Sequence, residues 1–139
     1  MSDVHSQQVR SYNMSRIKGS DTRPEIAVRR YLHSKGLRYR LHAGKLAGKP
    51  DIVLKKYKTV IFVNGCFWHG HQNCRKAVIP KTRTEWWTEK ISRNMERDAK
   101  AISELTLKGW SVIVVWECSL TKKQKELTLE KLYRQILGL

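Results

Sequence analysis

Residues 59–74 read TVIFVNGCFWHGHQNC, a run of strand-forming residues followed at once by a loop rich in cysteine and histidine. The run Thr59–Asn64 predicts a strand, because Val, Ile and Phe suit a pleated and partly buried surface. A tight basic turn separates it from the earlier run Asp51–Tyr57. The two runs therefore predict a β-hairpin that leads into a loop of metal-binding residue types.

The chain beyond this loop predicts a crossover connection. A helix is expected over Glu85–Lys108, with Thr82 and Glu85 as a capping box and Gly109 at its end. Its apolar stripe comprises Trp87, Ile91, Met95, Ala99, Ile102 and Leu105. The next run, Trp110–Trp116 (WSVIVVW), predicts a strand buried on both faces. A strand, a helix and a strand in this order normally form a right-handed crossover with parallel strands.

The crossover brings three parts of the chain to one edge of the predicted sheet. Parallel strands end at the same edge, so the Cys66 loop and Cys118 are expected to lie side by side. The hairpin places the start of its first strand, at Asp51, beside the end of its second strand. Topology alone therefore predicts a site at this edge that combines Asp51, the Cys66 loop and Cys118.

The remaining elements complete an α/β order. Thr22 and Glu25 form a T-x-x-E capping box that predicts the start of the first helix, and Gly36 predicts its end. Alternating apolar residues over Leu37–His42 predict a half-buried strand. A last amphipathic helix is expected near Lys122–Leu137. The predicted order is αβββαβα.

Length and patterning predict one domain with a short arm before it. A chain of 139 residues is long enough to bury a core without disulfide bonds. Residues 1–20 are polar and lack a hydrophobic period, so we expect an arm that orders on a partner, followed by a single domain over residues 21–139. Neither a long apolar run nor a secretory signal is present, so the expected location is cytoplasmic, with no membrane partner.

The strongest compositional feature is positive charge. The chain has 28 Lys and Arg against 12 Asp and Glu, a formal net charge of +16. Such a chain favours a polyanionic partner, and nucleic acid is the first candidate. A ribosome-associated protein and a basic membrane-surface protein are the alternatives.

The cysteines indicate a metal site. An odd number of cysteines cannot all pair in disulfides, and clustered Cys and His in a cytosolic protein more often bind metal. The candidate ligands form a Cys3His set suited to structural zinc: Cys66, His71, Cys74 and Cys118. His69 is a rival ligand on spacing alone, and buried free cysteines are the alternative interpretation.

A second set of residues suits phosphodiester hydrolysis. Asp51 opens an apolar strand, where a hard oxygen ligand can hold Mg²⁺ beside a basic cleft. His69 can act as a general base or acid, because its ordinary pKa lies near neutral pH. Glu25 can orient His69 or a metal-bound water. The alternatives are a turn aspartate, a structural histidine and a simple capping-box glutamate.

Exposed aromatic residues flank the same loop. Phe67 and Trp68 follow Cys66 directly, and Trp86 and Trp87 open the long helix. Large aromatic side chains on a basic surface can wedge between bases and stack on them. Core packing is the alternative, and it applies most to Trp87 on the apolar stripe.

Several motifs together resemble one enzyme family. Phe62–His71 (FVNGCFWHGH), with Pro50-Asp51 before it and Val115–Cys118 (VWEC) after it, resembles the very short patch repair (Vsr) DNA mismatch endonucleases. The segments Arg10–Met14 (RSYNM) and Thr82–Trp87 (TRTEWW) match as well. The resemblance spans nearly the whole chain. It implies a prokaryotic enzyme with a restriction-endonuclease-like αβββαβ core of the PD-(D/E)XK type. The implied activity is Mg²⁺-dependent nicking 5′ of the thymine in T·G mismatches, which arise when 5-methylcytosine deaminates.

The resemblance also implies roles for individual residues. Asp51 and the backbone carbonyl of Val63 bind Mg²⁺, and His69 is the general base with Glu25 in support. The structural zinc ligands are Cys66, His71, Cys74 and Cys118. The implied DNA contacts are Phe67, Trp68 and Trp87 in a major-groove wedge, Met14 from the minor-groove side and Lys90 at the mismatch.

Two departures and two alternatives accompany the resemblance. Val63 stands where the family commonly has Thr, which a backbone ligand tolerates, and Asn64 stands where it commonly has His.

The alternatives are a nuclease of the same fold with a different or broader substrate, and a zinc-stabilised DNA-binding module without catalysis. We expect a monomer on double-stranded DNA, with other repair proteins as candidate partners.

Overall fold

A computed structural model describes residues 21–139 of the chain. The helices of this part are α1 (Arg23–Ser34), α2 (Thr84–Leu107) and α3 (Lys125–Leu137). Its strands are β1 (Arg40–Leu41), β2 (Ile52–Leu54), β3 (Thr59–Asn64) and β4 (Ser111–Trp116). Among these residues, no helix has both the length and the apolar composition of a membrane span.

The strands form one mixed sheet in the order β1-β2-β3-β4. β1 and β3 both run antiparallel to β2, as the hairpin prediction requires. β4 runs parallel to β3, in a register that extends from Thr59 opposite Ser111 to Asn64 opposite Trp116. The predicted α/β class and the crossover through α2 are therefore confirmed.

The two faces of the sheet are covered by different helices. Ile61 and its neighbours on one face pack with α1 and α3 around Leu32 and Leu129. Val60 on the opposite face packs with Leu105 of α2. Because successive strand residues point to opposite faces, this alternation produces three layers with the sheet in the middle.

The strands before the site are shorter than the sequence predicts. The strand expected over Leu37–His42 is reduced to β1, because the Leu37 N–H still bonds to the Leu32 carbonyl at the end of α1. The strand expected over Asp51–Tyr57 stops at Leu54 and gives way to a 3₁₀ turn over Lys55–Tyr57. The short β2 still leaves Asp51 at the predicted sheet edge.

Three predictions about the second half of the chain were wrong in detail. The capping box at Thr82 does not form, because α2 begins at Thr84 and its hydroxyl donates to the carbonyls of Pro80 and Lys81. β4 is an edge strand whose residues alternate in burial, so it is not buried on both faces. A 3₁₀ turn over Glu117–Leu120 delays the last helix to Lys125.

Candidate active site and metal centre

The predicted convergence at one sheet edge is present. Asp51 lies beside the end of β3, where its Oδ2 accepts a hydrogen bond of 2.7 Å from the Val63 N–H. The Cys66 loop leaves the same end of β3, and the Cys66 N–H donates to Glu117 Oε1 after β4 at 3.0 Å. The parallel pairing of β3 and β4 is therefore what assembles the site.

Asp51 belongs to a pair of poorly solvated carboxylates. Burial raises the pKa of Asp51 to about 6, the Val63 N–H opposes that rise, and the nearby Glu25 carboxylate adds to it. Glu25 on α1 is only 1% exposed. Burial and the neighbouring carboxylate disfavour the ionisation of Asp51, and a cation at this position would relieve that penalty. The donor chemistry at this edge therefore fits a hard divalent metal.

Glu25 is held in place from two sides. One carboxylate oxygen accepts a hydrogen bond from the Asp21 N–H, and Oε1 lies 2.6 Å from His42 Nε2. Thr22 caps α1 as predicted, with its hydroxyl oxygen accepting from the Glu25 N–H. Glu25 therefore acts both at the helix start and beside Asp51.

Glu25 and His69 have different side-chain partners, so the predicted support of His69 by Glu25 is not a direct contact and stays a prediction. His69 Nδ1 lies 2.5 Å from Asp98 Oδ2 on α2. Within residues 21–139, His69 is hydrogen-bonded to neither Glu25 nor Asp51. Both members of the His69–Asp98 pair are about one third exposed. His69 opens onto a groove of about 720 Å³ whose lining includes Lys49 and Arg97.

The Cys and His residues of the zinc prediction form one compact group. The ligand atoms of Cys66, His71, Cys74 and Cys118 all lie within 4.8 Å of one another. Cys118 Sγ is 3.4 Å from His71 Nδ1, and the His71 ring stacks on Trp116 at 4.0 Å. The structure therefore selects His71 over His69 as the histidine of this group.

The donor set and its burial fit a bound metal. Burial raises the pKa of the Cys66 thiol to about 12, so this thiol stays protonated at neutral pH without a cation. A coordinating divalent metal deprotonates such a thiol. Three thiols and one imidazole around one point therefore form a group that can hold a metal ion.

The Cys66 loop packs tightly against α2. The His71 N–H donates to the Cys66 carbonyl at 2.9 Å, which closes the turn. Gly70 has a positive φ of +60°, and a Cβ there would lie 2.6 Å from Met95 Sδ. A glycine therefore suits that position. His69 before it contacts Asp98, and His71 after it contacts Cys118.

Aromatic side chains cluster next to this loop. Phe67 lies 5.2 Å from Trp68 and 5.3 Å from Trp87 between ring centroids, and Trp86 packs edge-on to Trp87. Trp86 is 45% exposed, and the other three are half-buried. The rings of the Cys66 loop and of the start of α2 therefore form one cluster near the surface, and Trp87 belongs to this cluster rather than to either group of buried core residues. Lys90 follows one turn later on α2.

Comparison with known proteins decides the family. A family model described as "DNA mismatch endonuclease Vsr" matches residues 2–76. The chain is 44% identical to the DNA mismatch endonuclease Vsr of Escherichia coli K12, over 99% of this chain and 90% of that protein. The chain belongs to the Vsr DNA mismatch endonuclease family. It is therefore an endonuclease that acts on DNA.

Other relatives of this Vsr-family endonuclease carry nicking-enzyme names. The type II nicking enzyme V.NmeAIP of Neisseria meningitidis is 48% identical over 98% of this chain and 95% of that protein. The type II nicking enzyme V.XorIIP of Xanthomonas oryzae is 47% identical over 87% of this chain and 88% of that protein. The similarity therefore includes β4 and most of α2 as well as the Cys66 loop.

The sequence interpretation of this Vsr-family protein missed two residues of the site. Asp98 follows Met95 by three residues and precedes Ile102 by four, so it occupies the helix face assigned to Ala99. Ala99 is exposed, whereas Asp98 is half-buried. A carboxylate on a core-facing stripe was the available signal. His42 carries no such signal, because it is a polar residue at the end of the alternating run Leu37–His42.

Proposed function

We propose that this chain nicks double-stranded DNA 5′ of the thymine in a T·G mismatch, by Mg²⁺-dependent hydrolysis of the phosphodiester bond. The observation that supports this most is the pairing of Asp51 with Glu25 at the sheet edge that also carries the His69 loop. The relative from E. coli is named a DNA mismatch endonuclease, and two others are named nicking enzymes.

The proposed Mg²⁺ ligands are Asp51 and the backbone carbonyl of Val63. The N–H and C=O groups of one strand residue point to the same side, so the carbonyl of Val63 faces the side on which its N–H meets Asp51. These are the hard oxygen ligands that Mg²⁺ prefers. The chemistry that Mg²⁺ supplies when bound is stabilisation of charge on the attacking and leaving oxygens. Glu25 adds a second carboxylate that can hold a water beside this position.

His69 is the proposed general base. Its Nδ1 is committed to Asp98, which favours a proton on Nδ1 and leaves Nε2 with a lone pair. Nε2 can then accept a proton from the attacking water as the bond to phosphorus forms. Lys49 and Arg97 line the groove beside His69 and suit contacts to backbone phosphates.

The His69–Asp98 pair leads to a testable prediction. The variant Asp98→Asn removes the charge that orients the imidazole, so we expect nicking at saturating Mg²⁺ to fall by about 10–100-fold. Binding of the mismatched duplex should not weaken, because the variant removes a negative charge from the groove that Lys49 and Arg97 also line. Single-turnover rates measured beside fluorescence anisotropy separate the two effects. A variant that nicks at the wild-type rate would show that His69 needs no such partner.

We propose that a structural zinc is held by the group of Cys66, His71, Cys74 and Cys118. Soft thiolates with one imidazole in a closed set suit Zn²⁺ rather than Mg²⁺. Zinc at this point would fasten the long connection between β3 and α2 to the end of β4. Because His69 lies on that connection, the proposed zinc site also fixes the position of the general base.

DNA contact is assigned to the aromatic cluster and to the basic surface. We propose Phe67, Trp68 and Trp87 as the wedge at the mismatch, with Lys90 contacting it from α2. Met14 and the proposed DNA-contacting arm over residues 1–20 lie outside the described residues. The net charge of +16 supplies the attraction to phosphates.

The architecture and setting of the enzyme complete the proposal. We propose a PD-(D/E)XK-type core, which the described order α1-β1-β2-β3-α2-β4 supports. Residues 21–139 are proposed as one endonuclease domain. We propose that it acts as a monomer in the cytoplasm of a prokaryotic cell, on DNA and with other repair proteins as candidate partners.

A mismatch panel tests the proposed substrate. End-labelled duplexes with T·G, C·A, G·G and matched T·A pairs in one sequence context are incubated with the protein and Mg²⁺. We expect one cut in the thymine strand of the T·G duplex, directly 5′ of the mismatched thymine. Equal cutting of all duplexes would indicate a nuclease of broader substrate. Binding to the T·G duplex without cutting in any context would indicate a DNA-binding module.

A further inference from the structure

His42 occupies a constrained position next to the proposed Mg²⁺ site. It follows β1 directly, and its backbone N–H donates to the Asp51 carbonyl at 3.1 Å. Its φ of +48° lies in the left-handed region, which is unfavourable for a residue with a Cβ. The fold therefore maintains an unfavourable backbone conformation at the residue that faces Asp51 across the strand pair.

The side chain of His42 reaches away from the sheet to α1. Its Nε2 lies 2.6 Å from Glu25 Oε1, and the His42 side chain is 33% exposed against 2% for Glu25. A carboxylate this deeply buried needs a donor for each oxygen, since a lost partner leaves it poorly solvated. The Asp21 N–H serves the second oxygen. His42 is thus the side-chain donor that fixes the rotation of Glu25.

Asp51 lies within electrostatic reach of both residues. The Glu25 carboxylate raises the pKa of Asp51, whereas His42 lowers it. Three elements therefore meet here: α1 through Glu25, the end of β1 through His42, and the start of β2 through Asp51. Within the described part of the chain, residues 21–139, no comparable arrangement surrounds His33, which is exposed near the end of α1.

We propose that His42 is a positioning residue of the cation site, which holds the Glu25 carboxylate beside Asp51 so that both face one Mg²⁺. This inference rests on the proposed Mg²⁺-dependent function. Outer partners that hold metal-facing carboxylates are worth about 10–100-fold in metal affinity or activity. In this arrangement His42 touches neither substrate nor metal, and its effect passes through Glu25.

The test compares His42→Leu with His42→Gln. Leucine removes the donor, whereas the glutamine amide can donate from nearly the same distance as Nε2. Nicking of the T·G duplex is measured against Mg²⁺ concentration, and Mn²⁺ binding to the protein without DNA is followed by electron paramagnetic resonance. We expect His42→Leu to raise both the half-saturating Mg²⁺ concentration and the Mn²⁺ dissociation constant by about tenfold. His42→Gln should recover most of that loss, and His33→Leu should match the wild type.

Two outcomes would overturn the inference. One is a His42→Leu protein that binds Mn²⁺ at least as tightly as the wild type and needs no more Mg²⁺ for half-maximal nicking. The other is equal impairment of His42→Leu and His42→Gln together with a lowered melting temperature, which would mark a purely structural role. Failure of the proposed function is distinguishable, because the wild-type protein itself would then show no Mg²⁺-dependent nicking.

Discussion

Replacement of Asp51 by alanine is expected to lower nicking of the T·G duplex by about 1,000-fold, which corresponds to several kcal/mol of transition-state stabilisation from a bound metal ion. Asp51 offers the carboxylate at the sheet edge, and the Val63 N–H holds one of its oxygens in place at 2.7 Å. Without it, Glu25 is the remaining carboxylate of the pair. Single-turnover rates at saturating Mg²⁺ measure the loss.

The Asp51 variants should keep the stability and the DNA binding of the wild type while they lose activity. The pKa of Asp51 is raised to about 6 in the folded protein, so ionised Asp51 lowers the stability of the fold at neutral pH. Protonation of Asp51 removes this cost as the pH falls below about 6. Asp51→Ala and Asp51→Asn should therefore melt no lower than the metal-free wild type at neutral pH. Glu130→Ala, an exposed carboxylate on α3, is the matched control. If Asp51→Asn nicks the duplex at a rate within a few-fold of the wild type, Asp51 has no essential role in catalysis.

Replacement of Cys118 by serine is expected to have the largest effect on stability. Cys118 is the proposed zinc ligand that would join the Cys66 loop to the end of β4, and its Sγ lies 3.4 Å from His71 Nδ1. Structural zinc contributes directly to folding free energy, so its loss should lower the melting temperature by about 10 °C or more. Nicking should fall as well, because the loop that carries His69 loses its anchor.

Metal content separates this effect from a simple packing defect. We expect about one tightly held zinc per wild-type chain and markedly less in Cys118→Ser. Ser119→Ala is the neighbouring control, since the contact of Ser119 with Thr128 uses its backbone carbonyl rather than its side chain. A Cys118→Ser protein that melts with the wild type and keeps its zinc would contradict the proposed zinc site.

The convergence of the site was predictable because it depends on topology. The order of strand, helix and strand requires β3 and β4 to be parallel, and that alone places Cys66 and Cys118 at one edge. The position of Asp51 follows from the hairpin in the same way. These inferences need no side-chain detail, so errors of a few residues in strand length left them intact.

The partners of the catalytic candidates were not predictable in the same way. Whether Glu25 meets His69 or His42 depends on which side of the sheet the loop turns to, and the sequence carries no periodic signal for that. The turn at Gly70 sends His69 toward α2, where Asp98 lies, and His71 toward Cys118. Side-chain pairing across 17 or 29 residues depends on such turns rather than on local pattern.

We propose that one sheet edge carries two metal centres with separate tasks, Mg²⁺ for nicking and zinc for the fold. The most direct measurement is cleavage of the T·G duplex by the zinc-containing protein under three conditions. These are Mg²⁺ present, Mg²⁺ removed by brief EDTA treatment, and Mg²⁺ restored. The zinc content of the protein is measured under each condition. We expect one cut 5′ of the thymine in Mg²⁺, none in EDTA and full recovery with Mg²⁺, while the zinc stays bound throughout. Equal cutting in EDTA, or an intact thymine strand in Mg²⁺, would contradict the account.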